Sequence, residues 1–209
     1  MPRRRGQGGC SAGPSMNPVI ETERLWIRDF LPEDFASVHA YAADPEVTRY
    51  TAFGPNTAEQ TAEFLQRACA AAAVPERTHF TFAAVYRPTN QLIGSCGLIR
   101  SDANGPQYAF GYVLHRDWWR RGFGREMVGA LVEFGFRELG AHRLWAHVFV
   151  GNVGSARILE GLGFRDEGVA LQSLYVRNAW HDVRTFAMLR REWELAERIQ
   201  RTPREGHPH

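Results

Sequence analysis

The chain has 209 residues, 44% of them hydrophobic and 23% charged, the balance of one globular domain with a sizeable core rather than a fibrous or low-complexity protein. Its formal charge is +2, but Arg3, Arg4 and Arg5 carry three of those charges, so the body lacks the basic excess that nucleic-acid binding draws on. The cysteines form no paired framework, no Cys/His cluster has zinc spacing, and no stretch nears the ~20 apolar residues of a membrane span; we expect no metal, no membrane segment and a cytoplasmic location.

Residues 1–18, rich in Gly, Pro, Ser and Arg, should be disordered, with Met1 or Met16 as the start; residues 19–200 should form the domain and 201–209 a frayed tail. The Leu25-Trp26-Ile27 pattern reads as a strand. Pro32-Glu33-Asp34 opens a helix with Phe35, Val38 and Tyr41 inward. Thr57-x-x-Gln60 is a capping box for an Ala-rich helix to about Ala73. Phe80 to Tyr86 and Leu92 to Arg100 form a hairpin around Pro88-Thr89-Asn90, and Gln107 to Leu114 adds a third strand. A helix from Glu126 to Leu139 carries Val128, Leu131, Val132 and Gly135 on one stripe, ended by Gly140. Leu144 to Val150 is a strand, Ser155 to Leu162 a short helix, and Leu171 to Tyr175 with Asp182 to Leu189 a last hairpin. The order implies an α/β chain of α+β type, with helices on both faces of a mixed sheet.

Between the third strand and its following helix lies Trp118-Trp119-Arg120-Arg121-Gly122-Phe123-Gly124-Arg125-Glu126. The N–H groups that open a helix lack intrahelical acceptors, and the helix dipole favours negative charge there. Gly122 and Gly124 let an anion approach the backbone, and Arg120, Arg121 and Arg125 supply counter-charge. The turn is therefore a candidate phosphate site; a solvated Arg-rich loop is the bland alternative.

Short motifs run through nearly the whole ordered chain: Glu21-Thr22-Glu23-Arg24-Leu25-x-x-Arg28, Leu92-Ile93-Gly94-x-x-Gly97, Gly111-Tyr112-Val113-Leu114, the Trp119 to Gly124 turn, Asn152-x-x-Ser155, Gly163-Phe164 and His181-Asp182-Val183. In this order they resemble the GNAT-superfamily acyltransferases of the ribosomal-protein alanine N-acetyltransferase (RimJ/RimL-like) branch. The resemblance implies a mostly antiparallel sheet with splayed central strands, and an enzyme moving acetyl from acetyl-CoA to a primary amine without a metal. It implies a pyrophosphate cradle of Arg120, Arg121, Gly122, Phe123, Gly124 and Arg125, with Trp119 at the first loop position packing the turn. Val113 and Leu114 would pair with pantetheine, and a backbone N–H there would stabilise the oxyanion. Asn152 would bond pantetheine, beside its plain role as a helix cap, and Ser155 would protonate the departing thiolate.

The positions where related enzymes place a Glu base fall on Ala109 and Leu174, both apolar. Tyr175, Tyr108, His147 and His181 are the nearby groups for steering a proton, with His147 read as a core residue; Ser155 and Tyr175 are the catalytic candidates. Tyr50, Phe53, Tyr108 and Trp180 are the acceptor-binding candidates. Without a strong base the acceptor should be an α-amine such as a protein N-terminus. The alternatives are a small-molecule amine (antibiotic or metabolite) or a catalytically weak acyl-CoA-binding module, as monomer or homodimer, with no nucleic-acid or membrane partner.

Overall fold

The computed structural model describes residues 19–101 and 105–201; the expected disorder of 1–18 and the tail from 202 onward lie outside them. Among the described residues, eight strands form one sheet: β1 (Ile20–Glu21), β2 (Leu25–Asp29), β3 (His79–Tyr86), β4 (Gln91–Ser101), β5 (Gln107–Leu114), β6 (Arg143–Phe149), β7 (Arg165–Val176) and β8 (Ala179–Leu189). The spatial order is β1-β2-β3-β4-β5-β6-β8-β7, and β5–β6 is the parallel neighbour pair. Six α-helices accompany it: α1 (Phe35–Ala42), α2 (Pro45–Thr48), α3 (Ala58–Ala72), α4 (Phe123–Arg137), α5 (Val153–Gly161) and α6 (Arg190–Arg201).

The expected capping box is present. The Thr57 hydroxyl accepts the Gln60 N–H at 3.3 Å, and the Gln60 side chain accepts the Thr57 N–H at 2.9 Å. Helix α4 starts at Phe123, three residues before the apolar stripe suggested, because Phe123 itself is buried in the core. The last hairpin is longer than expected and closes on Arg177-Asn178, both with positive φ, as a two-residue hairpin turn demands. Helix α6 went unread in the sequence: it is polar on most sides, and its Trp193 stacks on Phe136 at 5.3 Å.

Alternation along the strands splits the core between the two faces. Phe82 and Ala84 of β3 pack with Leu98, Met127 and Leu131 beneath α4, while Ala83 and Val85 pack with Val38, Tyr41 and Leu65 beneath α1 and α3. A bulge in β4 opposite Ala84 and Val85 makes Ile93 the extra residue, so Ile93 shares the α4 face with Cys96 and Leu98 while Leu92 lies on the other. At Gly94 an added Cβ would stand 2.2 Å from the Val113 carbonyl oxygen, so β4 and β5 reach this separation only with glycine there.

Parallel strands need a long crossover, and α4 supplies it between β5 and β6. Their ladder is short. It pairs Gln107 with Arg143, Tyr108 with Leu144 and Ala109 with Trp145, then stops, although β5 continues to Leu114 and β6 to Phe149. Each strand keeps its outer neighbour along this length, β5 with β4 and β6 with β8. The two strands therefore part, and the sheet is slotted at its centre.

Candidate active site

The slot opens into a cavity of about 670 Å³ bounded by the end of β5, the turn before α4 and the start of α5. Three supports fix that turn. The Trp119 indole N–H donates to the Leu114 carbonyl at 2.9 Å. Trp118, Tyr86 and Phe123 pack as an aromatic triangle with centroids 4.8 to 5.5 Å apart. Arg120 (φ 60) and Gly122 (φ 82) then take left-handed backbone, which aims the first N–H groups of α4 at the cavity.

The expected cradle divides accordingly. Arg120, Gly122, Gly124 and Arg125 line the cavity. Phe123 turns its ring into the core and has only its backbone to offer. Arg121 lies outside the lining, and its guanidinium sits over Trp118 at 5.6 Å. Arg116 pairs with Asp44 at 3.2 Å.

Register separates Val113 from Leu114. The His115 N–H donates to the Ile93 carbonyl at 2.8 Å, and antiparallel partners alternate between bonded and non-bonded pairs. Val113, facing Ser95, then spends its backbone groups on β4, whereas those of Tyr112 and Leu114 turn toward the slot. The Leu114 carbonyl is taken by Trp119, which leaves its N–H as the directed donor.

Across the slot, Asn152 caps α5, its Oδ1 accepting the Ser155 N–H at 3.1 Å. The Ser155 Oγ lies 2.7 Å from the Tyr112 hydroxyl. Burial pushes the Tyr112 phenol up to about 12, against the opposing pull of that hydrogen bond. Leu159, further into α5, is fully buried in the core. The phenol at this site comes from the strand opposite. Sequence reasoning missed Tyr112, although a hydroxyl within the row Phe110, Tyr112, Leu114 was its signal.

A second cavity of about 530 Å³ shares Arg49, Tyr50 and Gly151 with the first and adds Phe149, Trp180, His181 and Asp182. Tyr50 stands between the two; a Cβ on Gly151 would lie 3.0 Å from its ring. Arg177 at the β7–β8 turn donates to the carbonyls of Arg49, Phe53 and Gly54 at 3.1 to 3.3 Å and so ties the hairpin to the Tyr50 loop.

Of the acceptor candidates, Tyr50 and Trp180 line these cavities. Phe53 lines neither, and Tyr108 is a correction: it sits where β5 and β6 still pair, buried in the core under α4. Tyr175 is also corrected, because it packs on Trp180 at 5.1 Å, is 56% exposed and reaches neither cavity. His147 is exposed beside Trp145 rather than in the core, and partial loss of water around its ring lowers its pKa. Ala109 lies in the paired part of β5, and Leu174 pairs with His181. Carboxylates enter the linings elsewhere, at Glu46 in the first cavity and Asp182 in the second. Glu46 went unread, being some hundred residues from Ser155 in sequence. Among the described residues no group of three or more His, Cys, Asp or Glu could hold a metal, and no helix is long and apolar enough to cross a membrane.

Residues 24–165 match the family model described as an acetyltransferase (GNAT) domain. The uncharacterized N-acetyltransferase YoaA of Bacillus subtilis is 31% identical over 176 residues, which cover 84% of this chain and 98% of YoaA. A crystal structure of a GNAT-family acetyltransferase from Bacillus anthracis is similar with TM-score 0.73 at 28% identity, covering 82% of this chain and 98% of that one. Spermidine N-acetyltransferase from Vibrio cholerae, in complex with CoA and spermine, shares the fold with TM-score 0.71 at 18% identity, over 83% of this chain and 99% of that one.

Proposed function

Because the chain belongs to the GNAT acetyltransferase family, and so is an acetyl-CoA-dependent N-acetyltransferase, we propose that its acceptor is an α-amine at a protein N-terminus, as in the ribosomal-protein alanine branch. The observation that carries this reading is the slot itself. The open edge of β5, the N-terminus of α4 and the Tyr112–Ser155 pair all meet one cavity, and that cavity contains a single carboxylate, Glu46.

In this reading the N–H groups at Phe123 to Arg125, with Arg120 and Arg125, hold the pyrophosphate of the coenzyme. The slot-facing backbone of Tyr112 and Leu114 pairs with the pantetheine amides like an added strand. Capping uses the oxygen of Asn152, so its amide nitrogen is the group for a further bond to that arm. At the far end of the arm the acetyl carbonyl oxygen meets the Tyr112 N–H, which stabilises the developing oxyanion.

The acceptor enters past Trp180 and Tyr50. Its neutral nitrogen adds to the carbonyl carbon, the C–S bond breaks, and the nitrogen releases a proton to water. Ser155 passes its proton to the sulfur and takes one back from the water that received the amine's proton, so the transfer is balanced overall. Tyr112 stays protonated and donates to the Ser155 oxygen, which turns the serine proton toward the sulfur.

Amine acidity supports the α-amine. With a pKa of about 7.7–8.0, an α-amine is substantially neutral near pH 7.5, whereas a lysine near 10.4 costs about 4 kcal/mol to neutralise. Two carboxylates, Glu46 and Asp182, one in each cavity, are also thin recognition for a polyamine. The test is a panel of N-terminal peptides, the same peptides with blocked α-amines, and polyamines, read by thiol release from acetyl-CoA. Faster turnover of the free N-termini is expected. Preference for lysine side chains or spermidine overturns the reading, and no thiol release from any acceptor favours a binding module.

A further inference from the structure

The motif Thr22-Glu23-Arg24 lies between β1 and β2, far in sequence from α4, yet it closes on the first turn of that helix. Glu126 receives the Thr22 hydroxyl at 2.6 Å, the Arg24 backbone N–H at 2.8 Å and the Arg24 Nε at 2.7 Å. The same guanidinium donates to the Arg121 carbonyl at 3.1 Å and lies 4.1 Å from the Phe123 ring centroid. It also stands 3.3 Å from where a Cβ on Gly122 would be. One arginine therefore touches residues 121, 122, 123 and 126 of the turn. Resting on the coenzyme site proposed above, we propose that Arg24 is a positioning residue for coenzyme A: it masks the Glu126 charge and fixes the turn that presents the α4 N–H groups.

The physical need is specific. Glu126 is an acidic side chain one turn from a helix end that must accept a diphosphate, and unmasked it would repel that ligand across a short distance. Burial works to keep its carboxyl neutral, but the hydrogen bonds from Thr22 and Arg24 outweigh it and hold the group ionised below the usual range. With the ion pair closed, the helix end presents N–H groups and the charges of Arg120 and Arg125 without an opposing anion. Arg24 does not line the cavity, so it acts through its neighbours rather than on the ligand.

The test titrates coenzyme A by calorimetry into the full chain and into Arg24→Gln, Glu126→Gln and the double variant, with thermal melts to confirm folding. Arg24→Gln should weaken coenzyme A binding about tenfold, more at low salt than at high salt. It should raise KM for acetyl-CoA and leave kcat near that of the parent. The double variant should regain most of the affinity, because no bare carboxylate remains. Unchanged affinity in Arg24→Gln overturns the proposal, as does a folded double variant as weak as the single one. Failure of the parent chain to bind coenzyme A would instead sink the underlying site assignment, which keeps the two failures separate.

Discussion

Tyr112 on β5 and Ser155 on α5 face each other at 2.7 Å across the point where β5 and β6 have parted. Neither side chain would meet the other in a fully paired sheet. If they act as one donor, replacing either should cost the same. Tyr112→Phe and Ser155→Ala should each lower kcat about tenfold, below the usual range of general-acid effects because a thiolate leaves readily. The double variant should be no worse than the weaker single one. Steady-state kinetics on the three variants check this; additive losses would mean separate roles.

The pH profile should be set by the acceptor rather than by the enzyme's phenol. Activity should rise as an α-amine loses its proton, through about 7.7–8.0. It should then stay level to about pH 10, since burial pushes Tyr112 up to about 12 and its proton is retained. The measurement is kcat/KM for an N-terminal peptide from pH 6 to 10. A descending limb between 8 and 10 would show that a different group is titrating.

The arginines of the turn should be unequal. Arg125→Gln removes a cation that lines the cavity and should weaken coenzyme A about fivefold or more. Arg121→Gln should change affinity less than about twofold, because that side chain is spent on Trp118. Titration of both variants decides it, and equal losses would return Arg121 to the phosphate contact.

Away from the slot, Glu167 joins β6, β7 and α6 through Arg143 at 2.5 Å and Arg165 at 2.9 Å, with Arg165 also paired to Glu192. Hydrogen bonding from Arg143, against the pull of burial and with help from Arg165, lowers its carboxyl from 4.5 to about 2. A depressed carboxyl stabilises the fold above its unfolded pKa, and that contribution fades as pH falls from 4.5 through about 2. Discounted for solvent exposure, the depressed Glu167 carboxyl contributes about 1 kcal/mol. Glu167→Gln should lower Tm by about 2–4 °C at pH 6, and the gap should close near pH 2 in thermal melts.

Local rules made much of the frame legible. The Thr57–Gln60 box, the β3–β4 hairpin and the strand–turn–helix order at Leu114 to Gly124 are each written in adjacent residues, and the structure has them. The site was less legible because its facts are relational. Tyr108 and Tyr112 share one face of β5 and read alike in sequence. Only the end of the β5–β6 ladder at Ala109 makes one a core residue and the other a cavity wall. Arg120 and Arg121 are likewise adjacent, and the left-handed backbone at Arg120 sends them different ways. Tyr175 looked close to the chemistry because it sits in the right hairpin, yet its strand faces it outward onto Trp180.

The short β5–β6 ladder joins two blocks of sheet at one end only, with α4 bridging them. Such a joint behaves like a clothes-peg whose spring is the three remaining residue pairs. A peptide-like arm lying between the jaws supplies the missing rungs and ties the blocks together, so the first guest stiffens the wall against which the second must be aligned.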